Sequence, residues 1–228
     1  MDESTRLEQS QSSAQSKQGG PHFNTRLLAE PQSATGLRSR PGYVLKRPID
    51  LVVSGLGLIV LTPLFLGIAL LIKLTSTGPV FFRQQRIGLE GKLFQILKFR
   101  SMKTGSETGS RFTKTNDSRV TGIGKLLRKT SLDELPQLIN IFRGEMSLIG
   151  PRPYVGFELA EASAETRRKR ASVLPGVSGL SQVSGRSSLA QSTILEYDVE
   201  YVEKCSLKYD LGILYKTVQK VITCEDTN

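Results

Sequence analysis

The 228-residue chain carries 31 Lys and Arg against 21 Asp and Glu, a formal net charge of +10. So basic a chain points to an anionic partner: nucleic acid, phosphorylated small molecules or an acidic membrane face. Its one histidine, His22, lies in a polar stretch, which argues against histidine triads, His-ligated zinc and a histidine general base, and leaves carboxylates, Lys, Arg, Ser, Thr or Tyr to carry any chemistry. Cys205 and Cys224 show neither metal nor redox spacing, so a disulfide framework is not indicated and a reducing compartment is expected.

Residues 1–42 are rich in Ser, Gln, Gly and Pro and poor in aliphatic residues. They cannot bury enough apolar surface to offset ordering and read as a disordered polar tail. No secretory leader is expected, because the chain starts Met1-Asp2-Glu3 and its first long apolar run begins only near Ile49.

That run, Ile49 to Ile72, has no charge between Asp50 and Lys73. At about 1.5 Å per residue it is long enough for a bilayer core of roughly 30 Å. Pro63 at its middle removes a backbone donor, and the Thr62 hydroxyl is placed to satisfy a carbonyl so freed. Lys46 and Arg47 precede the run; Lys73 and a cluster of Arg83, Arg86, Lys92, Lys98 and Arg100 follow it. Basic residues favour the cytoplasmic side, and both flanks are basic. A helix that bends at Thr62-Pro63 and returns to the same face satisfies this; a kinked single-pass helix is the rival.

Gly78 to Met102 reads as a β-hairpin, with Val80 and Phe82 alternating on one arm, Leu93, Gln95, Leu97 and Phe99 on the other, and Gly88–Gly91 as the turn. Helical stretches are expected over 121–129, 131–142, 157–171, 193–205 and 210–222. The last has an apolar face of Leu211, Leu214, Tyr215, Val218 and Ile222, suited to a core or a membrane surface. The fold class expected is α+β: a small membrane-associated domain with a β-hairpin and several amphipathic helices.

Three stretches concentrate chemistry. In Arg128 to Gln137, Ser131-x-x-Glu134 spells a capping box, and acidic residues suit a first helical turn. The same position would keep Asp133 ionised next to Arg128, ready to attack phosphorus or to hold Mg²⁺. In Gly150-Pro151-Arg152-Pro153 two prolines hold Arg152 extended, either as a rigid turn or as a pre-ordered phosphate grip. In Pro175 to Arg186 glycines permit close backbone approach to a ligand and Arg186 adds charge. Arg167-Arg168-Lys169-Arg170 reads as a solvated helix face or one facing an anionic membrane.

Taken in order, Lys46-Arg47-Pro48-Ile49-Asp50, Lys98-Phe99-Arg100-Ser101-Met102, Leu127 to Leu138, Gly144 to Pro153 and Pro175-Gly176 to Gly185-Arg186 resemble the bacterial sugar transferase family, the monotopic phosphoglycosyl transferases of polysaccharide and glycoconjugate initiation. The resemblance runs from about residue 43 to the C-terminus. It implies a re-entrant membrane helix over 43–78, broken at a Ser-Pro pair that is Thr62-Pro63 here. It further implies a catalytic domain over 79–228 and a short form of the family. An Asp-Glu pair, Asp133-Glu134, would act with Mg²⁺, Asp133 forming a covalent phosphosugar ester as UMP leaves a UDP-sugar and polyprenyl phosphate then taking the phosphosugar. Arg128 and Arg152 are expected near the phosphates, with Lys98, Arg100 and Arg186 as further phosphate ligands and Asp210 as a matched position of less defined role. The implied location is the cytoplasmic face of the bacterial inner membrane, with membrane lipid as partner, no nucleic acid, and a homo-oligomer or assembly with downstream glycosyltransferases as a possibility. The rivals are a membrane-tethered binding protein for nucleic acid or anionic lipid, and a non-catalytic scaffold.

Overall fold

The computed structural model describes residues 44–106, 117–159, 162–185 and 189–223; the expected N-terminal tail and Arg186 lie outside them. Among the described residues the architecture is α+β: seven α-helices and two small two-stranded sheets.

Helix α1 (Lys46–Thr75) spans 30 residues, about 45 Å at the usual rise. It is long and apolar enough to cross a membrane by length and composition. The helix runs on through Pro63, so the expected break is not an interruption of helical structure. The Thr62 hydroxyl donates to the Leu58 carbonyl at 2.7 Å, not to the Ile59 carbonyl that Pro63 frees.

One stripe of α1 faces the rest of the protein. At its start Lys46 pairs with buried Asp210, and Asp50 accepts from the Leu148 backbone N–H at 3.0 Å. Arg47 donates to the carbonyls of Ile141 and Phe142 at a helix C-terminus, where a cation is favoured. Near its end Ile68 and Ile72 are buried with Phe99 and Leu127, and Phe65 meets the Phe99 ring edge-on at 5.3 Å between centroids. Arg100 closes α1, its guanidinium donating to the Ser76 and Thr77 carbonyls and the Ser76 hydroxyl. Gly78 follows at φ +117°, where a Cβ would lie 2.1 Å from Arg100 Nη1, so only glycine fits this turn.

Strands β1 (Phe81–Ile87) and β2 (Leu93–Phe99) form the expected antiparallel hairpin, Phe81 opposite Phe99 and Ile87 opposite Leu93. The expected alternation on β2 is corrected: Leu93 is exposed, and both faces are used. Phe99 packs towards α1, while Phe94 and Ile96 pack with Ile141 and Met146. A strand covered on both sides loses its one-sided pattern.

Helix α2 (Gly122–Lys129) is capped by Thr121, whose hydroxyl accepts from the Gly124 N–H. A short 3-10 turn (Leu132–Glu134) leads into α3 (Gln137–Arg143), in place of the single helix expected over 131–142. Strand β3 (Ser147–Ile149) then pairs in parallel with β4 (Gly176–Ser178), a pairing too short to register as periodicity. Between them, α4 (Ala164–Ala171) occupies part of the segment expected to be helical over 157–171. Helices α5 (Leu180–Ser184), α6 (Gln191–Lys204) and α7 (Leu207–Thr223) complete the fold around a core of Ile149, Val173, Leu180, Tyr201, Val202 and Ile213.

The candidate carboxylate site

Asp133 and Glu134 sit in the 3-10 turn between α2 and α3. The chain enters that turn through Ser131 at φ 56°, ψ 16°, a left-handed conformation that costs a residue with a Cβ about 1–2 kcal/mol. The expected capping box does not form. The Ser131 side chain makes no capping hydrogen bond, and the Glu134 carboxylate turns elsewhere: it accepts from Lys98 Nζ at 2.8 Å and from Gln137 Nε2 at 3.0 Å.

Burial would raise the Glu134 carboxyl, but the Lys98 ammonium, with Arg152 and the Gln137 amide, overrides it and holds it at about 2, against an ordinary 4.5. Asp133 goes the other way. Burial first, then the charge of Glu134, push it from 3.8 to about 6, with Lys98 and Arg128 opposing. The neighbouring carboxylates are thus driven apart, the pattern that separates roles in a catalytic pair. No side chain donates to the Asp133 carboxylate among the described residues.

The site's position depends on Asn140. Its amide accepts from the Leu97 N–H at 3.0 Å and donates to the Gln95 carbonyl at 2.7 Å. A side chain thereby pairs with the open edge of β2 as a neighbouring strand would, fixing α3 against the strand that carries Lys98. Glu145 Oε2 accepts the other amide contact, at 2.6 Å. Arg128 is fixed by its Nε, which donates to Ser101 Oγ at 2.9 Å.

Arg152 follows β3 between two prolines and is exposed. Its guanidinium donates no hydrogen bond within the described structure. Its backbone is held: the Arg152 carbonyl accepts from Arg170 Nη2 at 2.7 Å. Arg170 is buried, paired with Asp198 at 2.9 Å and stacked over the Tyr154 ring at 4.4 Å. The solvated basic face expected over 167–170 is therefore corrected at its last residue. Two of the glycines after Pro175 serve backbone packing, since a Cβ on Gly176 would stand 2.1 Å from the Gly150 nitrogen and one on Gly179 2.2 Å from the Gly150 carbonyl oxygen. That seam aligns the Gly150–Pro153 segment on which Arg152 rides.

Asp133, Glu134, Lys98, Arg128 and Arg152 thus come together, though Lys98 is spent on Glu134. Arg100 does not join them as a phosphate ligand, being buried and committed to the end of α1. Asp210 lies at the start of α7, holding Lys46 and accepting from the Tyr201 hydroxyl at 2.7 Å. Thr62 and Pro63 stand exposed in mid-α1. Gln137, Asn140 and Asp198 were given no role from the sequence; the near-total burial that marks them is invisible there.

Among the described residues no three His, Cys, Asp or Glu cluster to hold a metal by themselves. Asp133 and Glu134 nonetheless suit a hard cation that takes one or two carboxylates and completes its shell with substrate phosphate and water. The Asp133 carboxylate, which receives no side-chain donor among the described residues, is where such an ion would fit.

The chain is similar in sequence to known proteins. A family model described as bacterial sugar transferase matches residues 42–224. The exopolysaccharide production protein ExoY of Sinorhizobium fredii is 41% identical over 205 residues, covering 82% of this chain and 89% of that protein. The UDP-glucose:undecaprenyl-phosphate glucose-1-phosphate transferase of Escherichia coli is 41% identical over 191 residues, 78% of this chain and 40% of its own. The undecaprenyl-phosphate galactose phosphotransferase of Salmonella typhimurium is 40% identical over 203 residues, 82% of this chain and 42% of its own. The chain belongs to the bacterial sugar transferase family.

Proposed function

We propose that the chain transfers a sugar-1-phosphate from a UDP-sugar to polyprenyl phosphate, releasing UMP, with Asp133 as nucleophile. The observation that carries this is the Asp133 carboxylate: half-buried, without a side-chain donor among the described residues, and set between Arg128 and a Glu134 held ionised by Lys98. An Asp133 oxygen attacks the β-phosphorus, the bond to the bridging oxygen breaks and UMP leaves with that oxygen. A phosphosugar ester on Asp133 results. An oxygen of the polyprenyl phosphate then attacks the same phosphorus and frees the carboxylate. The lipid phosphate is already anionic and needs no base, in keeping with a site whose described residues include no histidine. Arg128 and Arg152 offset the charge of the diphosphate in this reading. Mg²⁺, held by Asp133 and Glu134 with substrate oxygens, would supply charge neutralisation at the phosphates.

Membrane attachment rests on α1. Both of its ends meet the same body of the protein: Lys46 and Asp50 meet Asp210 and Leu148, while Ile68 and Ile72 meet Phe99 and Leu127. A helix crossing a bilayer would leave one end on the far side of that body. This supports a re-entrant segment over residues 43–78 and a catalytic domain over 79–228 on the cytoplasmic face of the inner membrane.

The direct assay is UMP release from a panel of UDP-sugars in the presence of undecaprenyl phosphate. Turnover with one or more sugars, lost in excess EDTA, is expected. No UMP from any sugar, with a folded protein in lipid, overturns the reading, and full activity in EDTA removes the metal.

A further inference from the structure

One face of the hairpin serves the carboxylate site. Opposite residues of an antiparallel pair share a face, and next-but-one residues along a strand return to it. The register therefore puts Phe82 with Lys98, Gln84 with Ile96 and Arg86 with Phe94 on one side. At one end of that row Lys98 donates to Glu134 at 2.8 Å. At the other end Arg86 Nη1 donates to the Pro153 carbonyl at 2.9 Å, one residue beyond Arg152. Phe94 and Ile96 are buried with Ile141 and Met146. Gln84 stays half-buried in the middle of the row, about 7 Å along the strand from either end. It stands on the hairpin face between the carboxylate pair and the segment that carries Arg152.

The Gln84 amide is oriented. Arg86 Nη2 donates to Gln84 Oε1 at 2.5 Å. A guanidinium offers only donors, so the oxygen must face it and the NH₂ group faces away. Arg86 is itself fixed between the Pro153 carbonyl and Glu158. Gln84 Nε2 has no acceptor among the described residues and is not sealed from solvent. A donor held in place by a charge, without an acceptor of its own, suits an oxygen on a ligand. The amide is neutral and adds nothing to phosphate neutralisation. It discriminates well among uncharged groups, because an analogue lacking the acceptor leaves the donor unpaired. We propose that Gln84 donates from its side-chain amide to an uncharged oxygen of the bound UDP-sugar, a sugar hydroxyl or a uracil carbonyl, and so helps to select that substrate. The proposal rests on the transfer reading above.

Lost activity alone would also follow if Gln84 only braced Arg86, so the test pairs variants with substrate analogues. The full chain is reconstituted in lipid with undecaprenyl phosphate as wild type, Gln84→Met and Gln84→Asn. The first variant removes the amide and the second withdraws it by one methylene, so one that folds, judged by its melting temperature, is enough. For each, kcat/KM for UMP release is measured with the UDP-sugar that the panel selects, with its monodeoxy analogues, and with its 2-thiouridine and 4-thiouridine analogues. One analogue is expected to cost the wild type roughly tenfold and to cost the variants nothing further. A deoxy analogue in that position identifies a sugar hydroxyl as the acceptor, and a thio analogue a uracil carbonyl. Losses that simply add in the variants for every analogue overturn the proposal and leave Gln84 a brace for Arg86, with the transfer reading standing. A wild type that releases no UMP from any UDP-sugar sinks both.

Discussion

Two aspartates, half-buried Asp133 and fully buried Asp198, are treated in opposite ways by their surroundings. Burial raises both above the ordinary carboxylate value. Around Asp198 the protein completes the account: Arg170 donates to one oxygen at 2.9 Å, Ser181 to the other at 3.1 Å. Around Asp133 the donors stop short. Its neighbour Glu134 takes Lys98 and Gln137, and the turn that presents the pair enters through a left-handed Ser131. A satisfied buried acid is an element of architecture; a half-buried one that no side chain donates to, beside an arginine, is a place kept open for a ligand, at a cost to stability.

The largest effect that would break this contrast is at Asp133. Asp133→Asn is expected to lower UMP release by about 10⁴-fold or more, while melting at or above the wild-type temperature, since it removes a buried charge and a repulsion with Glu134. A large loss of stability in this variant would place Asp133 in the architecture instead. Asp198→Ala should do the reverse. It leaves Arg170 buried and unpaired and is expected to cost about 3–5 kcal/mol in denaturant unfolding, with Arg152 losing the backbone hold that Arg170 provides.

The contrast also shows what the sequence could reveal. The long apolar helix, the hairpin and the Asp133-Glu134 pair were legible because each is local: a run, an alternation, a motif. Asn140 was not, because its function is to pair with the edge of a strand more than forty residues earlier, and nothing in α3 announces it. Arg170 was misread for a similar reason. Its neighbours Arg167, Arg168 and Lys169 make a basic run, while the single carboxylate that buries it lies on α6. Glycines 176 and 179 looked like room for a ligand, and the structure uses both for close packing against Gly150.

Asn140→Ala sharpens the comparison at intermediate size. It strands the Leu97 N–H and the Gln95 carbonyl, each worth about 1–3 kcal/mol when buried without a partner. Stability should fall by about 2 kcal/mol or more, and activity should fall beyond the folded fraction because Lys98 and Glu134 are no longer registered. Activity in proportion to folded protein would show that the register is not needed.

The smallest expected effect is in pH. With Asp133 at about 6, the nucleophile is mostly ionised at pH 7 and about one-tenth ionised at pH 5, so kcat/KM should fall about tenfold between them. Its raised value makes the folded state bind the proton more tightly than the unfolded chain. The destabilisation is therefore fully present above about pH 6 and is relieved as pH falls toward 3.8. Glu134 has the opposite sign: its stabilisation is present above 4.5 and lost as pH falls toward about 2. Asp133→Asn should abolish the first dependence and keep the second; a wild-type rate flat from pH 7 to 5 would contradict the raised value.

The central claim, that Asp133 becomes esterified, is tested most directly by intact-protein mass spectrometry after incubation with UDP-sugar and Mg²⁺ but no lipid, followed by rapid acid quench. The expected result is a mass increase of one sugar phosphate with release of UMP, absent in Asp133→Asn and discharged on adding polyprenyl phosphate. An active wild-type enzyme that shows no adduct, with initial-rate lines that intersect, would contradict it and make the transfer direct.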